Sequence, residues 1–241
     1  MDVIYEPKGK ALEFAPLAVS LYTGCIHACR YCYVPSALRR SREQFHTEVK
    51  PRVNILQRLE KDAKKLEGDD REILISFTHD PYQPIEDEKK ITRQAIEILI
   101  AHDLRFTILT KGGIRAIRDF DLLENYSKCS FGTTLIFINQ KLTDDWEPNA
   151  ASTLDRFKAI QEADEKGIRI WVSLEPVIDP DQAFQLIAFL HRYVDHWKVG
   201  KVNHWPELER KVDWLEFRRK VIELMEAIGA DYYLKESLRK L

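Results

Sequence analysis

The 241-residue chain has no uninterrupted apolar run approaching the roughly 20 residues that cross a bilayer, so no membrane-spanning helix is expected. The segment from Met1 to Lys10 lacks the apolar stretch of a secretory signal, and a cytoplasmic location is expected. A charge excess of one sign is missing too: 37 Lys plus Arg stand against 39 Asp plus Glu, a formal net charge of -2. That balance gives no global positive field to draw in DNA, and a bulk nucleic-acid coat protein is excluded. Cysteine is scarce, with four in all, and three of them crowd between positions 25 and 32. A disulfide scaffold would spread its cysteines to staple distant loops, and a chain of this length that is 44% hydrophobic can bury a core without staples. Clustered thiols in a reducing compartment point instead to a metal centre.

Short apolar segments alternate with longer amphipathic ones, the pattern of strands taking turns with covering helices. Candidate strands are Ala18–Tyr22, Ile73–Phe77, Phe106–Leu109, Phe131–Leu135, Ile168–Leu174 and Trp197–Val202. Candidate helices run over Val53–Leu66, Thr92–Ala101, Ile114–Leu123, Ser152–Lys166, Asp181–Tyr193 and Trp214–Ile228. Ile91, Ala95, Ile98 and Leu99 recur at helical spacing and give one apolar face. Ser152 suits a helix cap, Gly167 a helix stop and Pro180 a helix start. The expected fold class is α/β, a partial (β/α)6 TIM-like barrel of parallel strands with outer helices. With no repeat and no glycine-serine linker, a single domain over 1–241 is expected, its tail from about 213 to 241 capping one barrel opening. Asp231–Leu234 reads either as an extra edge strand or as tail.

In such architectures the chemistry sits on loops after the carboxyl ends of the strands. Unusual polar residues collect there: Gly24 to Tyr33, Thr78-His79-Asp80-Pro81-Tyr82, Thr110-Lys111-Gly112-Gly113, Glu175-Pro176 and Asn203-His204-Trp205. The first of these holds Cys25, Cys29 and Cys32 in a Cys-x3-Cys-x2-Cys spacing, which lets three thiolates from one loop face a common centre. Structural zinc is normally closed by four ligands, and an electron-transfer 4Fe-4S cluster normally takes four cysteines. Three thiolates leave one iron of such a cluster free for a substrate or cofactor. The competing reading is an interaction module whose zinc is completed by His27, His46 or Cys129.

The cysteine spacing, followed by the aromatic Tyr33, resembles the signature of the radical S-adenosylmethionine (SAM) superfamily. The resemblance implies that the open iron chelates the methionine part of SAM, and that one electron then releases a 5'-deoxyadenosyl radical that takes a hydrogen from the substrate. It also implies an electron donor such as flavodoxin or ferredoxin. Leu21-Tyr22-Thr23-Gly24-Cys25 leading into Tyr31-Cys32-Tyr33 resembles the spore photoproduct lyase-like branch. Weaker pieces are Thr78 to Pro84, Thr110-Lys111, Glu147-Pro148 and Val172 to Ile178. Within that branch the resemblance implies that Lys111 and Thr134, with Thr133 as the register alternative, bind the carboxylate of the cofactor. Tyr31 and Tyr33 match tyrosines that contact the cofactor or relay hydrogen, Tyr33 being the catalytic candidate, and Asp80 is expected to bind the cofactor's amine or the substrate.

One departure bears on the substrate. The DNA-repair members carry a hydrogen-donor cysteine three residues before the matching aspartate, and that position here is Phe77. Cys129 precedes the fourth candidate strand, at the wrong end of the barrel to replace it, and reads as a small buried hydrophobe. The basic residues Arg39, Arg40, Arg42, Lys50 and Arg52 are interrupted by Glu43 and Glu48 and read as a solvated helix surface. A small molecule is therefore expected over a duplex. The compact queuine lyases of the branch, which release 7-aminomethyl-7-deazaguanine by cleaving a C–N bond, are similar in size and motif. His79, Asp80, Glu175, Asn203 and His204 are the candidate substrate contacts, with Glu175 or Asp80 accepting the adjacent N–H donors of a guanine-like edge. Trp171, Trp197 or Trp205 would stack on a flat ring. Nucleic-acid repair or modification remains the alternative.

Overall fold

A computed structural model describes residues 2–203 and 205–241. Its one eight-stranded sheet runs in sequence order: β1 (Ile4–Tyr5), β2 (Leu17–Val19), β3 (Ile73–Ile75), β4 (Phe106–Thr110), β5 (Cys129–Thr134), β6 (Ile170–Val177), β7 (His196–Lys201) and β8 (Tyr232–Leu234). Only β1 is antiparallel to its neighbour; every other adjacent pair is parallel. The six expected strands are all present, but the parallel set is longer than expected. Tyr232–Leu234 pairs with β7 as a seventh parallel strand, and the two-residue β1, too short to leave a periodic signal, adds an antiparallel edge.

Strict alternation along each strand builds two environments. Ile73, Ile75, Phe106, Ile108, Phe131, Val172, Leu174, Trp197 and Val199 join the large core between sheet and helices. Ala18, Leu74 and Trp171 form a second, separate cluster with Phe14, Phe77 and Leu109 around it. Ala18 and Leu74 lie on the paired strands β2 and β3, but Trp171 is on β6, separated from β3 by β4 and β5, so the sheet must curl until these inner faces meet. The result is the partial barrel.

Packing on that inner face is specified by small residues opposite large ones. The Trp171 ring lies over Gly132, where an added Cβ would stand 2.2 Å from Trp171 Cε2 and 2.5 Å from the Ile108 carbonyl oxygen. Its indole N–H donates to Thr107 Oγ1 at 2.7 Å, and Thr107 is within 2.6 Å of Ser130 Oγ. The open side between β1 and β8 is bridged by the 3-10 turn Gly9–Glu13. Glu13 Oε1 accepts from Tyr233 Oη at 3.0 Å and from the Glu236 N–H at 2.6 Å, and Lys198 Nζ donates to the Phe14 carbonyl at 2.6 Å.

Helices Ile55–Lys65, Ile91–Ala101, Thr153–Glu165, Pro180–Leu190 and Trp214–Ala227 fall where the periodicity placed them. Ser152 Oγ caps its helix by accepting from the Asp155 N–H at 3.0 Å. The stretch read as a helix over Ile114–Leu123 is instead a 3-10 segment, Gly113–Asp119, followed by the short helix Phe120–Leu123. Asp119 and Ala116 are fully buried, and Asp119 holds that tighter segment through Arg93, 3.4 Å away on the helix Ile91–Ala101. Residues 214–241 supply an outer helix whose Phe217, Val221 and Met225 are buried, then β8 and the helix Glu236–Arg239.

Gly132→Ala should force the Trp171 ring aside and destabilise the protein by about 1–3 kcal/mol, read as a lower midpoint in urea denaturation; an unchanged midpoint would show that the ring does not seat on that glycine. His102 bridges Glu60 and Glu67 at 2.8 and 2.7 Å, and these carboxylates raise its pKa above the usual 6.5. Its contribution is therefore full below pH 6.5 and is lost as pH rises through the raised pKa. His102→Gln should remove that segment of the stability–pH curve.

Candidate active site

The described candidate residues of the cysteine loop, and of the loops after β3, β4, β5, β6 and β7, lie at the carboxyl end of the sheet. The cysteine loop has little secondary structure of its own and is held by side chains from outside it. Gln83, fully buried, straddles Cys25: its Oε1 accepts from the Ile26 N–H at 3.0 Å and its Nε2 donates to the Gly24 carbonyl at 3.2 Å. The Arg42 guanidinium donates to the carbonyls of Cys29 at 2.8 Å and Cys32 at 2.9 Å, Arg40 to that of Thr23 at 2.5 Å, and Arg52 to that of Tyr22 at 3.2 Å. This corrects the reading of that basic stretch as merely solvated, since three of its arginines cap orphan carbonyls of the loop. His46 Nδ1 lies 2.7 Å from the Cys25 carbonyl.

A second set of ties is ionic and buried. Tyr31 Oη donates to Glu147 Oε1, and Arg156 Nη1 donates to Glu147 Oε2 at 2.5 Å and to the Thr134 carbonyl at 3.0 Å. Burial opposes charge on both Glu147 and Arg156, but each outweighs that cost for the other, so the carboxyl stays below and the guanidinium above its ordinary pKa. Sequence reasoning missed Gln83 and Arg156 because each reads as a surface residue. Glu147 was visible only as part of a dipeptide resemblance.

Asp80 is buried and takes three donors: the Tyr82 N–H at 2.8 Å and Thr110 Oγ1 at 2.6 Å on Oδ1, and the Lys111 N–H at 2.6 Å on Oδ2. His27 Nδ1 stands 3.4 Å from Oδ2. Burial alone would raise the carboxyl pKa, but the charge His27 carries when protonated and these three donors pull it below the ordinary carboxylate value. Burial lowers the His27 pKa to about 4 despite Asp80, so its ring is neutral at pH 7. Asp80 thus organises protein backbone on both of its oxygens.

Lys111 follows Asp80's partner Thr110, and its Nζ lies 5.7 Å from the centre of the Tyr31 ring. Burial disfavours its charge, but Cys29, Glu147 and Asp80 more than compensate, and its pKa ends above the ordinary lysine value. Register separates the two threonines of β5. Thr133 Oγ1 donates to the Thr110 carbonyl at 2.9 Å, while Thr134 shares the inner face with Gly132 beneath Trp171. Tyr33 is half-exposed, its ring 6.3 Å from Phe77, which in turn meets Phe14 at 5.9 Å. Glu175 stands at the carboxyl end of β6 beside Lys235, at 3.4 Å.

Other candidates are placed elsewhere. His79 is buried against Tyr22, ring centres 5.4 Å apart, and burial drops its pKa to about 3. Asn203 accepts from Lys10 at 2.8 Å and donates to the Lys201 carbonyl at 2.8 Å, so its amide is engaged within the protein. His204 lies outside the described residues. Of the three tryptophans, Trp171 alone is on the inner face; Trp197 is fully buried in the outer core and Trp205 packs on Trp146.

Cys25, Cys29 and Cys32 are free thiols on one loop, and burial raises the pKa of each, Cys29 to about 12, so they suit the strong positive charge of a metal centre. Among the described residues, no three His, Cys, Asp or Glu side chains converge on the position of a single ion. Cys129 cannot complete a zinc site: it lies at the amino end of β5, its Sγ 3.0 Å from the Tyr126 carbonyl. Three thiols on one loop are compatible with a polynuclear cluster.

Residues 19–190 match the Radical SAM superfamily. The chain belongs to that superfamily. This family implies a 4Fe-4S cluster and SAM. The sequence is 29% identical over 168 residues to an uncharacterized protein of Methanocaldococcus jannaschii, covering 69% of this chain and 62% of that protein. It is 28% identical over 186 residues to an uncharacterized protein of Acidianus two-tailed virus, covering 72% and 58%. The match thus spans less than two thirds of those relatives' own length. Among solved structures, a spore photoproduct lyase variant with bound AdoMet and dinucleoside spore photoproduct superimposes with a TM-score of 0.71 at 17% identity, covering 96% of this chain and 78% of that one. Streptococcus suis SuiB bound to S-adenosylmethionine gives 0.64 at 14% identity, covering 90% and 49%. At such identities these likenesses establish the partial-barrel fold.

Arg156→Leu strands the Glu147 carboxylate in the interior and is expected to cost about 3–5 kcal/mol in urea unfolding. A loss below 1 kcal/mol would mean that the Tyr31–Glu147–Arg156 link does not brace the loop.

Proposed function

We propose that this member of the superfamily is a lyase that breaks a C–N bond in a small modified nucleobase, with queuine giving 7-aminomethyl-7-deazaguanine as the substrate reading. The observation that carries it is the Glu175 carboxylate at the rim, adjoining an aromatic group made by Phe14, Phe77 and Tyr33. A flat ring would rest on the aromatics while the carboxylate accepts its N–H donors. When bound, the cluster and SAM supply one electron and a 5'-deoxyadenosyl radical to take a substrate hydrogen. Cys25, Cys29 and Cys32 hold the cluster and leave one iron for SAM. Lys111 and the Thr134 hydroxyl receive the SAM carboxylate, since a compact buried cation suits an anion. Tyr31 and Tyr33 flank the third cysteine, and Tyr33 stands between the cofactor side and the Phe77 side of the chamber. An acidic flavodoxin or ferredoxin would deliver the electron.

A second reading, nucleic-acid repair, is favoured by the fit to spore photoproduct lyase structures over 96% of the chain. Against it stands Phe77, an edge-on ring where a thiol would be needed to return a hydrogen to the product.

With protein reconstituted without oxygen, 5'-deoxyadenosine release should rise on adding queuine and remain at background with DNA oligonucleotides. Stimulation by DNA alone would overturn the small-molecule reading. Cys29→Ala should abolish cluster assembly and cofactor cleavage together. Lys111→Ala should keep its iron but lose at least tenfold in SAM affinity; unchanged affinity would remove Lys111 from the cofactor site.

A further inference from the structure

Lys235 is one of the largest fully buried side chains of the protein, yet its ammonium meets no hydrogen-bond acceptor among the described residues. It follows β8 directly, and its Nζ sits 3.3 Å from the centre of the Phe14 ring on one side and 3.4 Å from Glu175 Oε2 on the other. Glu175 Oε2 is likewise buried and makes no hydrogen bond, its contact with Lys235 being ionic, while the side chain as a whole keeps 21% of its surface open. The space for this pair is made by Gly200 on β7, where a Cβ would come within 2.8 Å of Glu175 Cδ and 2.9 Å of Lys235 Cγ. Two opposite charges in contact, with Oε1 of the carboxylate lying over the cleared Gly200 and an aromatic ring on the other side of the ammonium, form a built arrangement.

We propose that Lys235 is the positioning residue for Glu175: it fixes Oε2 from behind and keeps the carboxylate ionised, so that Oε1 is presented to adjacent N–H donors of the substrate, the ring N–H and amino group of a guanine-type edge. This rests on the nucleobase reading above and adds the residue that makes the edge legible. A carboxylate reads such donors well only as an anion, because its protonated form would set donor against donor. Burial leaves the Glu175 pKa above the ordinary carboxylate value even though Lys235 pulls it down, and burial lowers the Lys235 pKa in turn, so loss of the cation would raise Glu175 further. The other charged groups facing the pair are Glu13, 3.9 Å from Lys235 Nζ, and Lys10 and Lys198; Tyr33 and Tyr233 complete the titratable surroundings. Glu13 Oε1 accepts from Tyr233 and the Glu236 N–H while its Oε2 faces Lys235 at 3.9 Å, Lys198 donates to the Glu13 and Phe14 carbonyls and Lys10 to Asn203, so Lys235 is the cation in direct contact with Glu175.

The test is equilibrium binding of 7-deazaguanine to the reconstituted holoenzyme with SAM present, from pH 6 to 8. The parent should bind with a nearly flat profile and discriminate at least tenfold against 7-deazaadenine. Lys235→Met should weaken 7-deazaguanine at least tenfold at pH 7, with affinity falling further as pH drops because Glu175 then takes up a proton. Lys235→Arg should restore most of the affinity and the flat profile. Should Lys235→Met not fold, Lys235→Gln, of similar reach and no charge, is expected to show the same acid-side loss. A neutral variant that binds like the parent with a flat profile overturns the role of Lys235 alone. A parent that does not bind 7-deazaguanine, or that binds 7-deazaadenine equally, overturns the nucleobase reading with it.

Discussion

A single buried carboxylate joins the loops on which the site depends. Asp80 reaches the end of β4 through Thr110 and the Lys111 N–H, folds its own loop through the Tyr82 N–H, and faces His27 in the middle of the cysteine loop. Each of those N–H groups would otherwise be an orphan donor in the interior, which costs about 1–3 kcal/mol apiece. Because the same carboxylate ties His27 of the cysteine loop to the backbone at Lys111, displacing it would shift the three thiols and the Lys111 cation together. Gln83, the arginines at 40, 42 and 52, and the Tyr31–Glu147–Arg156 link then hold the loop from its remaining sides. A loop with no ladder of its own needs such ties to keep three thiols in place.

The chain's near-zero net charge has a structural counterpart. Many of its strongest charges are spent inside, as opposed pairs around the rim: Asp80 and Glu147 against Lys111 and Arg156 on the β4–β5 side, Glu175 and Glu13 against Lys235 and Lys198 on the β6–β8 side. Burial sharpens each interaction while desolvation weighs against each charge, so the pairing is obligatory. The first side carries the cysteines and a cation. The second carries aromatic rings and an accessible carboxylate. On the proposed function the cofactor would take the first side and the substrate the second.

Much of this was legible in the sequence. The six central strands, the five long outer helices, the Ser152 cap and the placement of the candidate residues at strand ends all followed from periodicity and from the rule that loops at carboxyl ends carry chemistry. The cysteine spacing was the most informative feature, because thiol chemistry at fixed short separations admits few uses. What was hidden was hidden for physical reasons. Arg156 and Lys235 are buried charges whose partners lie 9 and 60 residues away, and a local pattern reads them as surface. Gly132 and Gly200 matter through large side chains on the strands beside them, Trp171 over the first and Glu175 and Lys235 over the second, neighbours that only the folded sheet supplies. His79 and Asn203 occupy suggestive positions, yet one packs against Tyr22 and the other bonds Lys10, contacts set by long-range folding.

The central claim is that the loop of Cys25, Cys29 and Cys32 holds an iron cluster with one iron open to SAM. Electron paramagnetic resonance of the dithionite-reduced, reconstituted protein tests it directly, with spectra recorded before and after SAM is added. The account predicts the signal of a reduced 4Fe-4S cluster whose g-values move when SAM binds. A signal indifferent to SAM, or a protein whose bound metal is one tetrahedral zinc per chain, would contradict it.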